Sequence, residues 1–85
     1  MGWWVYMLRC GDGTLYTGTA VDVDRRAAAH AGGRGAKYTR GRGPVELVYR
    51  EACPDKSAAL RRERAVKALR RAEKLSLIAR GTSES

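Results

Sequence analysis

The chain has 85 residues, a length that gives one domain with a single small core. Seventeen Lys and Arg against nine Asp and Glu give a formal charge of +8, and no apolar run approaches the length of a transmembrane helix. The two cysteines, Cys10 and Cys53, exclude a disulfide framework and fit no metal-binding motif, which favours reduced thiols in a cytoplasmic protein.

The positive charge is confined to the second part of the sequence. Residues 1–31 contain three bases and three acids, whereas residues 32–85 contain the other 14 bases and six acids, so that 14 − 6 = +8. A polyanion partner such as nucleic acid explains this asymmetry, and a solvated basic surface explains it about equally well. Charge alone therefore leaves both explanations open.

The first two predicted elements are β-strands joined by a short turn. Residues 3–10 are rich in aromatic and β-branched residues, and residues 14–19 have the composition of a returning strand. Between them, Gly11-Asp12-Gly13 is a turn signal that allows either a two-residue or a three-residue loop. The length of this loop decides which side chains share a face of the hairpin.

Two tyrosines of this hairpin depend on that choice. A two-residue loop would place Tyr6 and Tyr16 on opposite faces, because one residue of slip reverses the side-chain directions of a strand. A three-residue loop with Gly13 in the left-handed conformation sets Tyr6 opposite Gly18 and places both phenols on one face. We predict the three-residue loop, since Gly18 then leaves open space beside Tyr6.

A short helix is predicted from about Val23 to Ala31, with Asp22 as its N-cap. Arg26 and His30 lie one turn apart on the same stripe as its small apolar residues. A guanidinium in this position could anchor a carboxylate or bind a phosphate as a bidentate donor. A histidine near a helix end is more often structural than catalytic, so both interpretations stay open for each residue.

The middle of the chain is a glycine-rich basic stretch from residue 32 to residue 43, which predicts a flexible loop that contacts a phosphate backbone. We expect the residues that bind nucleic acid to be these loop residues together with bases on the flanking helices: Arg25, Arg34, Lys37, Tyr38, Arg40, Arg42 and Lys67.

The last part of the chain predicts one strand and two helices. Residues 45–50 alternate, with Leu47 and Tyr49 expected on one face. A helix capped by Asp55 runs to about residue 69 or 70, and a basic amphipathic helix covers residues 72–79. The order ββαβαα predicts an α+β fold with helices packed against a small sheet. We expect a single domain over residues 1–80 and a disordered polar tail over residues 81–85.

Glu63 stands out within the first of these helices, because it lies at the edge of the face expected to point inward. An unpaired carboxylate in such a place costs several kcal/mol, so Glu63 requires a partner. The partner could be a basic side chain, Arg25, Arg26 or Lys67, or it could be a metal ion. The pattern alone favours the ion pair over the metal.

In combination these residues resemble the GIY-YIG nuclease superfamily. The resemblance depends on their types and spacing over nearly the whole chain: Trp4-Val5-Tyr6, Tyr16-Thr17-Gly18, Arg26, His30 and Glu63. It is strongest to small stand-alone bacterial members, related to the amino-terminal nuclease domain of the bacterial ABC excinuclease. Their further signatures correspond to Gly35-Ala36-Lys37-Tyr38-Thr39-Arg40, Pro44-Val45-Glu46-Leu47-Val48-Tyr49 and Ala59-Leu60-Arg61-Arg62-Glu63. One departure is that Trp4 stands where the family has its first glycine.

The resemblance implies a three-stranded antiparallel sheet flanked by helices, with the active site on one face. It also implies that Glu63 binds a single divalent metal, expected to be Mg²⁺, and that Arg26 stabilises the charged phosphoryl transition state. Tyr6 and Tyr16 would position or activate the attacking water, and His30 would assist in this step or orient the groups that take part in it. An oxygen ligand suits a hard cation, and metal plus guanidinium can stabilise charge that develops on phosphate.

The function that follows from this resemblance is a metal-dependent endonuclease acting on DNA, in repair or processing, on single-stranded, branched or duplex substrates. The same residues leave two alternatives open. One is a nucleic-acid-binding protein of the same fold with weak or no catalysis. The other is a small protein that docks on a larger repair complex.

Overall fold

The structure, a computed structural model, describes residues 2–31 and 44–81. Its elements follow the predicted order ββαβαα: β1 Trp3–Cys10, β2 Leu15–Ala20, α1 Val23–Ala31, β3 Val45–Cys53, α2 Lys56–Lys67 and α3 Arg71–Ala79. The three strands form one antiparallel sheet in the order β2-β1-β3, which confirms the α+β fold. The predicted basic loop and most of the predicted tail, residues 32–43 and 82–85, lie outside the described residues.

The central strand β1 divides the core into two halves, because its side chains alternate between the two faces of the sheet. On one face Tyr6 and Leu8 pack against Val23 of α1. On the other face Val5 and Met7 pack beneath α2 and α3. All four of these strand side chains have no solvent exposure. The tyrosine predicted to be functional is therefore a core residue as well.

The β1–β2 turn is the predicted three-residue loop. Gly13 has φ 88°, and its N–H donates to the Cys10 carbonyl at 2.8 Å, while the Cys10 N–H donates to the Thr14 carbonyl at 2.9 Å. Glycine adopts this left-handed conformation without the strain that a Cβ atom would add. The resulting register pairs Tyr6 with Gly18, as predicted.

The register between β1 and β3 shifts in the middle of the pair, and this makes one prediction wrong. Met7 pairs with Tyr49 and the next residue, Leu8, pairs with Leu47, which leaves Val48 as an extra residue in β3. Such a bulge bends the strand and interrupts its alternation. Leu47 consequently packs on the α1 face and Tyr49 on the α2 face, rather than both on one face.

Helix α2 is held against β3 by a polar network. The Tyr49 hydroxyl donates to Glu51 Oε1 at 2.7 Å, and Arg62 Nε of α2 donates to the same oxygen at 3.0 Å. Burial, followed by the carboxylate of Glu51, raises the pKa of Tyr49 to about 12, so this phenol remains a donor at neutral pH. The network fixes the helix that carries Glu63, one residue beyond Arg62.

In the part of the chain that the structure describes, none of the helices combines the length and the apolar character needed to span a bilayer.

We expect Glu51→Ala to lower the free energy of unfolding by about 1–2 kcal/mol, because it leaves Tyr49 and Arg62 without their shared acceptor. Glu46→Ala is the matched control, since Glu46 lies on the same strand and is exposed. Urea unfolding of the two variants measures the difference. Equal losses of stability would show that the network contributes nothing specific.

Candidate active site

Three aromatic side chains from different elements meet on the α1 face of the sheet. The ring centroids of Tyr16 and His30 are 4.9 Å apart, and Tyr6 lies 6.3 Å from each of them. Tyr6 is fully buried, His30 is 3% exposed and Tyr16 is partly exposed. The structure thus brings together the two phenols and the imidazole, with Tyr16 nearest to solvent.

Helix α1 is fixed at its N-terminus, and this orients its two candidate side chains. The Arg25 N–H donates to Asp22 Oδ1 at 3.0 Å, the expected N-cap bond. Arg50 of β3 donates to Asp24 Oδ1 at 3.3 Å and ties the first turn to the sheet. The helix then turns His30 inward, towards Tyr6.

The Tyr6 hydroxyl and His30 Nε2 are 3.3 Å apart and form a buried hydrogen bond. Burial, and then the positive charge of Arg26, lower the pKa of His30 below its ordinary value of 6.5. The imidazole is therefore neutral at pH 7, and its Nε2 can accept the phenolic proton in the tautomer that carries hydrogen on Nδ1. This geometry allows a proton to move from Tyr6 to His30.

Arg26 lies on the solvent side of the same cluster. Burial raises the pKa of Tyr6 to about 12, the charges of Tyr16 and Glu63 add to the rise, and the nearby Arg26 guanidinium opposes it. Arg26 itself is exposed, as a residue that contacts a phosphate must be. At pH 7 a phenol with this pKa is ionised in only about one molecule in 10⁵, so Tyr6 starts as a neutral hydroxyl.

Glu63 approaches the cluster from α2. Its side chain is 19% exposed, which agrees with its predicted place at the edge of the inward face. Glu63 Oε2 accepts an ion-pair contact from Lys67 Nζ at 3.0 Å, one of the three partners that the sequence left open. Lys67 is 56% exposed, and an ion pair of this kind contributes only about 0–1 kcal/mol in water.

Glu63 is the residue near this cluster whose oxygen atoms suit a hard divalent cation. Among residues 2–31 and 44–81, no group of three or more His, Cys, Asp or Glu could hold a metal ion. Mg²⁺ is commonly bound by one or two carboxylates, with water and substrate phosphate as its other ligands. Glu63, partly exposed at a cleft otherwise lined by Leu60, Arg64 and Lys67, can offer one carboxylate to such an ion, whose remaining ligands would come from water and substrate.

The remaining predicted residues divide into two groups. Arg25 is exposed and lines a cleft of about 320 Å³ together with Arg26 and Asp22. Lys67 lies beside Glu63. The five loop residues that were expected to contact phosphates lie outside the described residues: Arg34, Lys37, Tyr38, Arg40 and Arg42.

The structure also places Thr17 and Lys74 at one cleft with Tyr16, and neither residue was predicted from the sequence to be functional. These residues line a cleft of about 410 Å³ together with Leu15 and Lys67. Lys74 belongs to a helix with several basic neighbours, so composition did not distinguish it. The position of Thr17 beside Tyr16, on the opposite face of the same strand, was the available signal.

Gly18→Ala is expected to destabilise the fold by about 1–3 kcal/mol, because a Cβ atom there would meet Tyr6 Oη at 2.7 Å and Tyr6 Cζ at 2.9 Å. Gly2→Ala is the control, since its Cβ atom would approach nothing closer than the Cys53 carbonyl oxygen at 3.7 Å. Urea unfolding compares the two. A Gly18→Ala variant as stable as the control would contradict the close approach of Tyr6.

The lowered pKa of His30 predicts a pH-dependent stability. In the unfolded chain His30 takes up a proton near pH 6.5, whereas in the folded protein it does so only at lower pH. The contribution of His30 to the free energy of unfolding is therefore fully present above pH 6.5 and is lost as the pH falls below that value. The stability difference between wild type and His30→Gln should therefore shrink between about pH 7.5 and about pH 5.5, as followed by urea unfolding. A constant or growing difference would contradict the buried neutral imidazole.

Comparison with known proteins gives the family. Residues 2–76 match the model of the GIY-YIG catalytic domain. The chain is 57% identical to a UPF0213 protein of Natronomonas pharaonis, over 89% of both chains, and 52% identical to one of Staphylococcus epidermidis, over 91% of this chain and 94% of that one. The solution NMR structure of a UPF0213 protein from Bacillus halodurans is 53% identical and superposes with a TM-score of 0.59, covering 93% of this chain and 84% of that chain. With its sheet, its helices and its sequence in agreement, the chain belongs to the GIY-YIG catalytic domain family, a family of the nuclease type.

Proposed function

We propose that this protein is a metal-dependent endonuclease that hydrolyses phosphodiester bonds in DNA. The observation that carries the proposal is the convergence of several elements on the Tyr6 hydroxyl. His30 bonds to it from α1, the Arg26 guanidinium of the same helix lowers its pKa, Tyr16 lies beside it on β2, and the charge of Glu63 on α2 raises its pKa. These are the groups that positioning a water and stabilising a charged phosphate require.

In this proposal Tyr6 and His30 move the proton of the attacking water. Because Tyr6 has no solvent exposure, substrate binding would first have to admit the water to its hydroxyl; the Tyr6 oxygen would then accept a proton from that water as its own proton passes to His30 Nε2, 3.3 Å away. This relay avoids free phenolate, which the raised pKa of Tyr6 makes scarce at pH 7. Tyr16, which is partly exposed, is placed to hold the water or a phosphate oxygen in position.

Arg26 and Glu63 would act on the phosphate. The Arg26 guanidinium is exposed at a cleft and lies close enough to Tyr6 to lower the pKa of its phenol, so it can reach an anionic substrate while it remains near the proton relay. Glu63 would hold a divalent cation such as Mg²⁺, which when bound supplies Lewis-acid stabilisation of the phosphoryl oxygens. Lys67 would have to release Glu63 for this to occur, and its exposed, weak ion pair makes the release inexpensive.

The Glu63–Lys67 ion pair also supports a second candidate function, a protein that binds nucleic acid without cleaving it. In that case Lys67 satisfies the carboxylate permanently and no cation is required. Binding without cleavage, on all three classes of DNA substrate, would favour this candidate.

A role in DNA repair or processing in the cytoplasm completes the proposal. The thiols of Cys10 and Cys53 are free and buried, which suits a reducing compartment. Leu75 of α3, 37% exposed while its neighbour Leu77 packs in the core, is an apolar side chain that a larger repair complex could cover.

We expect cleavage of labelled single-stranded, flap or duplex DNA with Mg²⁺ and none with a chelator. Glu63→Gln should abolish the metal-dependent rate. Arg26→Ala should lower kcat by about 10²–10³, because it removes a charge that acts mainly in the transition state. Tyr6→Phe should lower kcat by about 10²–10⁴ through loss of proton transfer.

Arg25→Ala is the matched control for Arg26→Ala, since both side chains are exposed at the same cleft and only Arg26 acts on the pKa of Tyr6. It should raise KM and leave kcat nearly unchanged. Metal-dependent cleavage that persists at the wild-type rate in Glu63→Gln would overturn the proposed mechanism.

A further inference from the structure

The basic charge of the described chain is concentrated on α2 and α3. Residues 56–81 contain nine Lys and Arg and two Glu, so that 9 − 2 = +7. By contrast, residues 1–31 are neutral and residues 44–55 contain three acids and one base. The two helices therefore form the strongly positive surface among the described elements.

Two adjoining clefts lie between this surface and β2, the strand at one edge of the sheet. One is the cleft of about 410 Å³ beside Tyr16, and the other has a volume of about 180 Å³. Both clefts are lined by Leu15 and Lys74, and we call the two together the β2 groove. Its lining residues are Thr14, Leu15, Tyr16, Thr17, Lys67, Arg71 and Lys74.

Thr17 contributes an unusual feature to the wall of this groove. The residue is 3% exposed, and within the described residues its Oγ1 is buried without a hydrogen-bond partner. A buried hydroxyl without a partner is costly, and few native proteins keep one without a reason. Because Oγ1 is closed to solvent, a ligand oxygen becomes its partner only when binding opens this wall of the groove, and the hydroxyl would then donate to a phosphate.

We infer that the β2 groove binds the phosphate backbone of the nucleic-acid strand that is cut, an inference that rests on the proposed function. Arg71, Lys74 and Lys67 would neutralise successive phosphates, and the Thr17 hydroxyl would donate to a phosphate oxygen. Tyr16 lines the groove and also contacts the ring of His30, so this side chain connects the groove with the candidate active site. A partly exposed tyrosine at this point can stack on a base.

The test compares two double variants that each remove two positive charges. Arg71→Gln/Lys74→Gln changes the groove, while Arg61→Gln/Arg80→Gln changes exposed bases on or next to the same helices, neither of which lines the groove. Binding of fluorescent oligothymidylate is measured by anisotropy with a chelator present, so that no cleavage occurs. Urea unfolding midpoints establish that both variants are folded.

The groove variant should bind oligothymidylate about tenfold more weakly than the control variant. Its affinity should also depend less on salt: the slope of log affinity against log salt concentration should be smaller by roughly 1.4, since each of two lost single-strand phosphate contacts contributes roughly 0.7. Oligo-aspartate should compete poorly, because the groove is inferred to recognise phosphates and bases. Any of three results would contradict the inference that the β2 groove binds nucleic acid. They are equal effects of the two double variants, effective competition by oligo-aspartate, and no binding by the wild type at low salt.

Thr17→Val gives a readout that a purely structural role would not produce. The nearly isosteric change removes the buried unpartnered hydroxyl, so the unfolding midpoint should rise or stay the same while the affinity for oligothymidylate falls. Unchanged affinity would overturn the assignment of Thr17.

Parallel cleavage assays keep the two proposals separate. If the wild type cleaves DNA and the groove variant binds it as well as the control does, the β2 groove is not the binding site, but the proposed endonuclease function stands. Weakened binding by the groove variant, with no cleavage by wild type, overturns the proposed function and leaves the groove as a binding site.

Discussion

The close approach of the Tyr6 ring to the bare backbone of Gly18 is the constraint on which the site depends. The ring can lie against β2 only because Gly18 has no side chain, and the three-residue turn at Gly13 sets these two residues opposite each other. The same contact removes Tyr6 from water and so raises its pKa to about 12. The packing of the Tyr6 ring against Gly18 therefore affects both the position and the protonation state of the phenol.

The other candidate groups lie near this phenol because separate polar contacts hold the helices that carry them. The Asp22 cap and the Arg50–Asp24 pair hold α1, which delivers Arg26 and His30. The network at Glu51 holds α2, which delivers Glu63. A small core thus supports several polar contacts at its edges, and the loss of any one of them should displace the site before it unfolds the protein.

The features that could be predicted from the sequence are those that depend on residues close together in the chain. Loop length and Gly13 fixed the hairpin register, the Asp22 and Asp55 caps fixed the starts of two helices, and the spacing of the apolar residues gave the element order. It could not predict the bulge at Val48, because that bulge depends on how β3 meets a strand roughly 40 residues away in the chain. It left three bases and a metal ion as possible partners of Glu63 and could not choose among the bases, since only tertiary packing brings Lys67 rather than Arg25 or Arg26 into contact.

Lys67 links the two proposals, because it pairs with Glu63 and also lines the β2 groove. A phosphate in the groove attracts the Lys67 ammonium and so weakens its hold on the carboxylate, while a cation on Glu63 frees the ammonium for the phosphate. By linkage these two effects are the same coupling free energy, so substrate and cation would each strengthen the binding of the other. An ion pair that looks like a purely structural feature would then delay assembly of the charged site until the anionic strand has arrived.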